Sequence, residues 1–152
     1  MLPTFDLISP SPDRQTTLSH YRQRYETELF ERVLPFWETH SPDPEHGGYF
    51  NCLDRDGTVY DTTKHSWLQA RQAWIFSVLY REVEQRDEWL ELAESGVTFL
   101  REHARRPNGQ VFFSLTRDGR PLYQQRKIFS ECFSVMALAG VGRAADRPEF
   151  LD

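Results

Sequence analysis

The chain has 152 residues and a mass of 18.0 kDa, which is the size of one domain. Apolar residues make up 39%, charged residues 27% and aromatics 14%, a mix that excludes a disordered, collagen-like or disulfide-stapled chain. A net charge of -5 and a pI near 5.5 argue against a surface for nucleic acid or anionic membrane. No apolar run approaches a membrane span, and MLPTFDLISPSPDRQTT lacks a basic segment followed by an apolar one, so a cytoplasmic protein is expected. Cys52 and Cys132 lack metal-ligand spacing and are expected to be reduced structural thiols.

Pro3, Pro10 and Pro12 with Ser9 and Ser11 resist regular structure, so residues 1–16 are expected to form a flexible arm ahead of a folded region, 17–152. From Thr17, Leu18, Tyr21, Tyr25, Leu29, Val33 and Trp37 recur at helical spacing and predict an amphipathic helix, with Pro35 weakening its end. HSPDPEHGG is a loop. GYFNCLDRDGTVY predicts a small hairpin turning at Asp56-Gly57. Residues 64–84 predict a helix that is apolar nearly all round, hence buried on most sides. DEWLELAESGVTFLREHARR predicts a second amphipathic helix, with Asp87 and Glu88 suited to its N-terminus and Arg101, Arg105 and Arg106 to its C-terminus. VFFSLTRDGRPLY repeats the hairpin around Asp118-Gly119, and residues 127–145 predict another helix of all-round apolarity.

The second half restates the first. Gly47, Phe50, Leu53, Arg55, Asp56 and Gly57 recur 62 positions later as Gly109, Phe112, Leu115, Arg117, Asp118 and Gly119. Tyr60 and Lys64 return as Tyr123 and Lys127 after one inserted residue. The unit is an amphipathic helix, a loop, a hairpin and a buried helix, and pairs of this kind stack on one another. Inner helices apolar on every side favour a closed double ring over an open solenoid, so the expected fold class is all-α, an (α/α) barrel with short β-hairpins in its loops.

Trp67 and Arg71 lie one turn apart on one face of the first buried helix. Arg71 either faces a cavity, binding an anionic or hydroxyl-rich ligand beside the flat Trp67 ring, or makes a structural ion pair with a neighbouring helix. Glu131, among Phe129, Cys132 and Phe133, is either a cavity-facing carboxylate or the partner of an arginine such as Arg71. Gln69 and Lys64 flank the first pair, and the recurrence of Lys64 as Lys127 points to a shared structural job. His40 and His46 bracket an ordinary turn rather than a metal loop, so no metal is expected. No glycine loop for phosphate is present.

FWETHSPDPEHGGYFNCLDRDGTVYDTTKHSWLQARQAWIFSVLYR and FFSLTRDGRPLYQQRKIFSECFSVMALAG resemble the N-terminal part of the N-acylglucosamine 2-epimerase (renin-binding protein) family, over roughly residues 20–145. The carrying motifs are HGG-[YF]-F, W-L-Q-x-R-Q-x-W, L-T-R-D-G-[RK]-P and I-[FY]-S-E-C-F. The resemblance implies an (α/α)6 barrel, of which this chain would hold about two of six helical pairs, and interconversion of N-acetylglucosamine and N-acetylmannosamine without a redox cofactor. In that chemistry the sugar ring opens, one histidine removes the C2 proton, an enediolate-like intermediate forms, and a second histidine returns a proton to the other face. Developing charge on the substrate oxygen needs a fixed cation or donor. The resemblance places Trp67, Arg71, Phe129 and Glu131 at substrate-contacting positions, with Arg71 holding the oxygen; related epimerases carry a tyrosine where Phe129 stands. It places the acid and base histidines beyond Asp152, so the isolated chain is expected to be a truncated, inactive and association-prone portion of the enzyme. It further implies ATP as an allosteric effector, a homodimer at full length and a renin-like protein partner. The competing readings are a mannose- or cellobiose-type 2-epimerase, another (α/α)-barrel sugar enzyme such as a glycosidase, for which Glu131 alone would be a suitable carboxylate, and a non-catalytic protein-binding module.

Overall fold

The computed structural model describes residues 12–150. The chain divides into two compact units, one ending at Trp37 and the other starting at Glu38. Residues 1–11 of the expected arm lie outside the described residues; its last five are helical.

The first unit holds α1 (Pro12–Glu28), a π-helical turn over Leu29–Val33 and the start of α2 (Leu34–His40). The helix begins at Pro12, not Thr17, because proline suits the first helical position, where its missing N–H costs nothing, and Asp13 stands in the first turn. Pro35 does not end the helix. The wide turn just before it closes with the Leu34 N–H donated to the Leu29 carbonyl, and α2 then runs on to His40.

In the second unit β1 (Cys52–Leu53) pairs antiparallel with β2 (Val59–Asp61), and β4 (Ser114–Leu115) with β5 (Pro121–Tyr123). These are the two expected hairpins. Lys64–His65, expected to open a helix, instead forms β3 and joins β4 at the edge of a three-stranded sheet, β3-β4-β5. Helix α3 (Ser66–Glu82) therefore starts two residues late, and its first donors are satisfied from the other repeat: the Ser66 N–H reaches the Phe113 carbonyl at 3.0 Å and its hydroxyl the Phe112 carbonyl at 2.5 Å.

Helix α4 (Asp87–Phe99) continues through a π-helical turn, Leu100–Ala104; then α5 (Phe129–Ala144) and a 3₁₀ turn, Pro148–Phe150, follow. The buried stripe of α4, Trp89, Ala93, Gly96 and Val97, packs into a core shared with Ala70, Ala73 and Phe76 of α3. Each large side chain buried there contributes on the order of 1.5–3 kcal/mol. Trp89 also donates its indole N–H to Glu38 at 2.5 Å, so the buried ring keeps its polar edge satisfied.

Helices α3 and α5 lie side by side and run parallel. Trp67 meets Phe133 near their N-termini, and Trp74 and Ser77 close on Gly140 further along, leaving no room for a side chain at that glycine. Parallel inner helices with α4 antiparallel behind them form the expected double layer. The all-round burial expected of α5 does not hold. Phe129, Val135 and Met136 are exposed, because no helix covers that flank of α5 among the described residues. No helix of the described residues is long and apolar enough to cross a membrane.

Candidate active site

The start of α3 is held by a buried charge cluster. The Asp43 carboxylate, wholly buried, accepts from Lys64 Nζ at 2.9 Å and from Arg117 Nε and Nη2 at 3.0 and 2.9 Å. Lys64 Nζ also reaches the Gly47 carbonyl at 2.6 Å and stands 4.3 Å from the centre of the Phe99 ring. Burial alone would push the Asp43 carboxyl up, but the hydrogen bonds from Arg117 and Lys64 outweigh it and hold the group well below the usual carboxylate range. Burial pulls the Lys64 ammonium below its ordinary value against the attraction of Asp43. The expected shared job of Lys127 fails: Lys127 is exposed, since the position equivalent to Asp43, 62 residues on, is Arg105 and offers no carboxylate.

Gln69 is the second fixture of this end. Its Oε1 accepts the Tyr49 N–H at 2.8 Å, and its Nε2 donates to the Tyr49 carbonyl at 2.6 Å and to Asn51 at 2.7 Å. This clamp holds the HGG loop against α3. The second repeat makes the same contact at the same 20-residue separation, from Val111 to Glu131, although neither residue repeats its counterpart's type.

On the face of α3 away from these anchors, Trp67 and Arg71 stand together as their spacing requires. The Arg71 guanidinium lies 5.7 Å from the Trp67 ring centre and 5.5 Å from that of Phe133, and the two rings are 6.3 Å apart at a 40° tilt. Arg71 is exposed and, among the described residues, has no carboxylate partner. Its charge is held by two aromatic faces, at about 0.5–1 kcal/mol each, while its N–H donors remain available to an oxygen ligand. Phe133 joins this cluster although its spacing marked it only as an apolar helix residue. Phe129, one turn earlier on α5 and 61% exposed, lies on the same face.

Glu131 is held elsewhere. Its Oε1 accepts the Val111 N–H at 3.1 Å, as Gln69 does for Tyr49, and its buried Oε2 has no partner among the described residues. It lines a groove of about 280 Å³ with Leu100, Arg101, Val111, Val135 and Leu138. No pair joins it to Arg71.

The histidines occupy other places. His40 and His103 sit under the hairpin glycines Gly57 and Gly119, His46 lies 3.6 Å from Glu45, and His20 packs edge-on to Tyr21. His65, at the start of α3, packs edge-on to Phe113 with its Nδ1 buried and unpartnered. No group of three metal-ligating side chains occurs among the described residues. Both cysteines are free thiols.

The family profile described as N-acylglucosamine 2-epimerase (GlcNAc 2-epimerase) matches residues 48–150. The N-acylglucosamine 2-epimerase of Mus musculus is 52% identical over 126 residues, covering 80% of this chain and 30% of its own length. That of Homo sapiens is 48% identical over 132 residues, covering 84% and 31%. A cellobiose 2-epimerase of Bacteroides fragilis is 30% identical, covering 86% and 33%. Among solved structures, a cellobiose 2-epimerase from Bacillus thermoamylovorans superposes with a TM-score of 0.78 at 28% identity, covering 88% of this chain and 34% of that one. The chain thus spans about a third of the length of the relatives it matches. Its parallel inner helices and antiparallel outer layer are part of an (α/α)6 barrel. The profile match over most of the sequence, together with identity of 52% to the mouse enzyme over 80% of the chain, shows that the chain belongs to the N-acylglucosamine 2-epimerase family.

Proposed function

We propose that this chain supplies the sugar-contacting wall of a 2-epimerase that interconverts N-acetylglucosamine and N-acetylmannosamine. The observation that carries the reading is Arg71, an exposed cation held between Trp67 and Phe133 with, among the described residues, no carboxylate to neutralise it. A sugar ring rests on the half-buried Trp67 ring and the exposed Phe129 ring, and the guanidinium faces the oxygen on which charge develops as the C2 proton leaves. Trp67, Arg71 and Phe129 are the substrate contacts in this reading. Glu131 acts from behind them, holding the Val111 loop. Identity near 50% to enzymes named for acylated glucosamine, against 30% or less to those named for cellobiose, favours the acylamino sugar over the mannose or cellobiose alternatives.

Removing and returning one proton at one carbon is redox-neutral, so the reading requires no redox cofactor. In this reading the two proton-transferring histidines are not among the five of this chain. A cytoplasmic location, an ATP effector, a homodimer and a renin-like partner enter the reading through family resemblance alone.

The test grafts this chain in place of the matching third of the mouse relative and follows N-acetylmannosamine turnover. The graft is expected to be active, the 152-residue chain alone inactive, and Arg71→Ala in the graft to lower kcat/KM by about 10²–10³-fold. Full turnover by the chain alone, or an Arg71→Ala graft with unchanged kinetics, overturns the reading. Quenching of tryptophan fluorescence by the sugar gives a second readout that does not need an active graft.

A further inference from the structure

Helices α3 and α5 can be compared position by position, because one shared contact fixes their register. Gln69 Oε1 accepts the Tyr49 N–H and Glu131 Oε1 accepts the Val111 N–H, so Gln69 and Glu131, 62 positions apart, are equivalent. On that register Phe129 stands where Trp67 stands, and Phe133 stands where Arg71 stands. The parallel helices thus bring Phe133 to the height of Arg71, its ring centre 5.5 Å from the guanidinium carbon and 6.3 Å from the Trp67 ring centre.

The separation of the two helices is set further along. A Cβ on Gly140 would lie 2.7 Å from Ser77 Oγ and 3.0 Å from Trp74 Cδ1, so a larger residue there would push α5 away from α3. Gly140 follows Phe133 by seven residues, which puts both on one face of α5. The approach of the Phe133 ring to Arg71 is therefore made within the α3–α5 contact itself. A ring and a carboxylate also hold a guanidinium in different ways. A carboxylate takes up the N–H fork in a bidentate pair, whereas an aromatic face attracts the cation through its quadrupole and leaves the N–H donors for another acceptor. An arginine without either samples many rotamers, few of which aim the fork at one oxygen.

We propose that Phe133 is a positioning residue for the epimerisation: with Trp67 it holds the Arg71 guanidinium so that the N–H fork meets the oxygen on which charge develops. This inference rests on the proposed sugar chemistry and adds to it a residue that acts on the sugar only through Arg71. Steady-state kinetics of the graft in the mouse relative, with N-acetylmannosamine, test it. Phe133→Leu removes the ring but keeps an apolar side chain, and should lower kcat by about 5–10-fold with KM changed by less than about twofold, since the loss falls on the developing charge. Phe133→Tyr keeps a ring and should recover most of the rate. Adding Phe133→Leu to Arg71→Ala should cost no further activity, because the ring then has nothing to hold. Full kcat in Phe133→Leu, a raised KM at unchanged kcat, or multiplied losses in the double variant would overturn the proposal.

Isotope labelling of the arginine side chains in the 152-residue chain gives a magnetic-resonance readout that needs no turnover. The Arg71 Nε–H signal, identified by its absence in Arg71→Lys, should be displaced by the ring currents of Trp67 and Phe133. It should move toward the position of the other exposed arginines in Phe133→Leu and return in Phe133→Tyr. An Arg71 signal that Phe133→Leu leaves in place removes the clamp and with it the proposal. An inactive wild-type graft, with the Arg71 signal moving as expected, counts against the sugar chemistry and leaves the clamp standing.

Discussion

The carboxylate of Asp43 receives two hydrogen bonds from the guanidinium of Arg117, 74 residues away, and this pair ties the loop of the first repeat to the hairpin turn of the second. Lys64 completes the cluster from β3, two residues before the first residue of α3, so the start of α3 is fixed by charges from both repeats. Trp67 and Arg71 follow within the next two turns.

Asp43→Asn removes the charge that two cations share in a buried position. Lys64 is then left buried without a counter-charge, and breaking such an arrangement costs about 3–5 kcal/mol. The urea midpoint should fall accordingly, and a midpoint within error of wild type would show that the cluster contributes nothing net.

The same carboxylate makes stability depend on acid. Its folded pKa lies below its ordinary value of 3.8, so its contribution is fully present above that value and is lost as pH falls through the folded pKa. Urea midpoints measured from pH 7 to pH 3 should decline at the acid end, and the part of the decline due to this group should vanish in Asp43→Asn.

Gln69 and Glu131 hold equivalent loops with different chemistry. Gln69→Glu keeps the acceptor for the Tyr49 N–H but loses the donors to Tyr49 and Asn51 and buries a charge, so it should destabilise the chain by about 2 kcal/mol or more. Glu131→Gln removes a carboxylate whose second oxygen has no partner, and should be neutral or stabilising by up to about 1 kcal/mol. Thermal melts of the two variants should therefore move in opposite directions or leave only the first shifted.

The hairpin glycines are tied to histidines. Gly57 and Gly119 have φ of +87° and +83°, and a Cβ at either would overlap the ring of His40 or His103. Alanine at either position meets both backbone strain and a steric clash, so each should cost about 2 kcal/mol. Adding His40→Ala to Gly57→Ala should recover only the steric part, measured by chemical denaturation.

Arg71→Ala separates function from fold. Only two exposed cation–π contacts are lost, so stability should change by about 1 kcal/mol or less, while sugar-induced quenching of tryptophan fluorescence should disappear. A large loss of stability would mark Arg71 as a structural residue instead.

Local pattern by itself determined the helices, both hairpins, the 62-residue repeat and the pairing of Trp67 with Arg71, because helical spacing, turn chemistry and one-turn separations act between residues close in the chain. The HGG and WLQxRQxW motifs likewise carried the family. Other features were decided only by contacts between distant segments. Pairing with β4 pulled Lys64 out of the helix and into the buried charge cluster. Phe133 became the second ring beside Arg71 because α5 runs parallel to α3, and no spacing within α5 reports that direction. Glu131 turned toward Val111, since a carboxylate among aromatic residues takes whichever donor its own repeat brings near, and that donor is a loop amide 20 residues away. The apolarity of α5 was legible from its residues. Whether it is buried depends on what lies against it, which is a property of the packed helices and not of the segment.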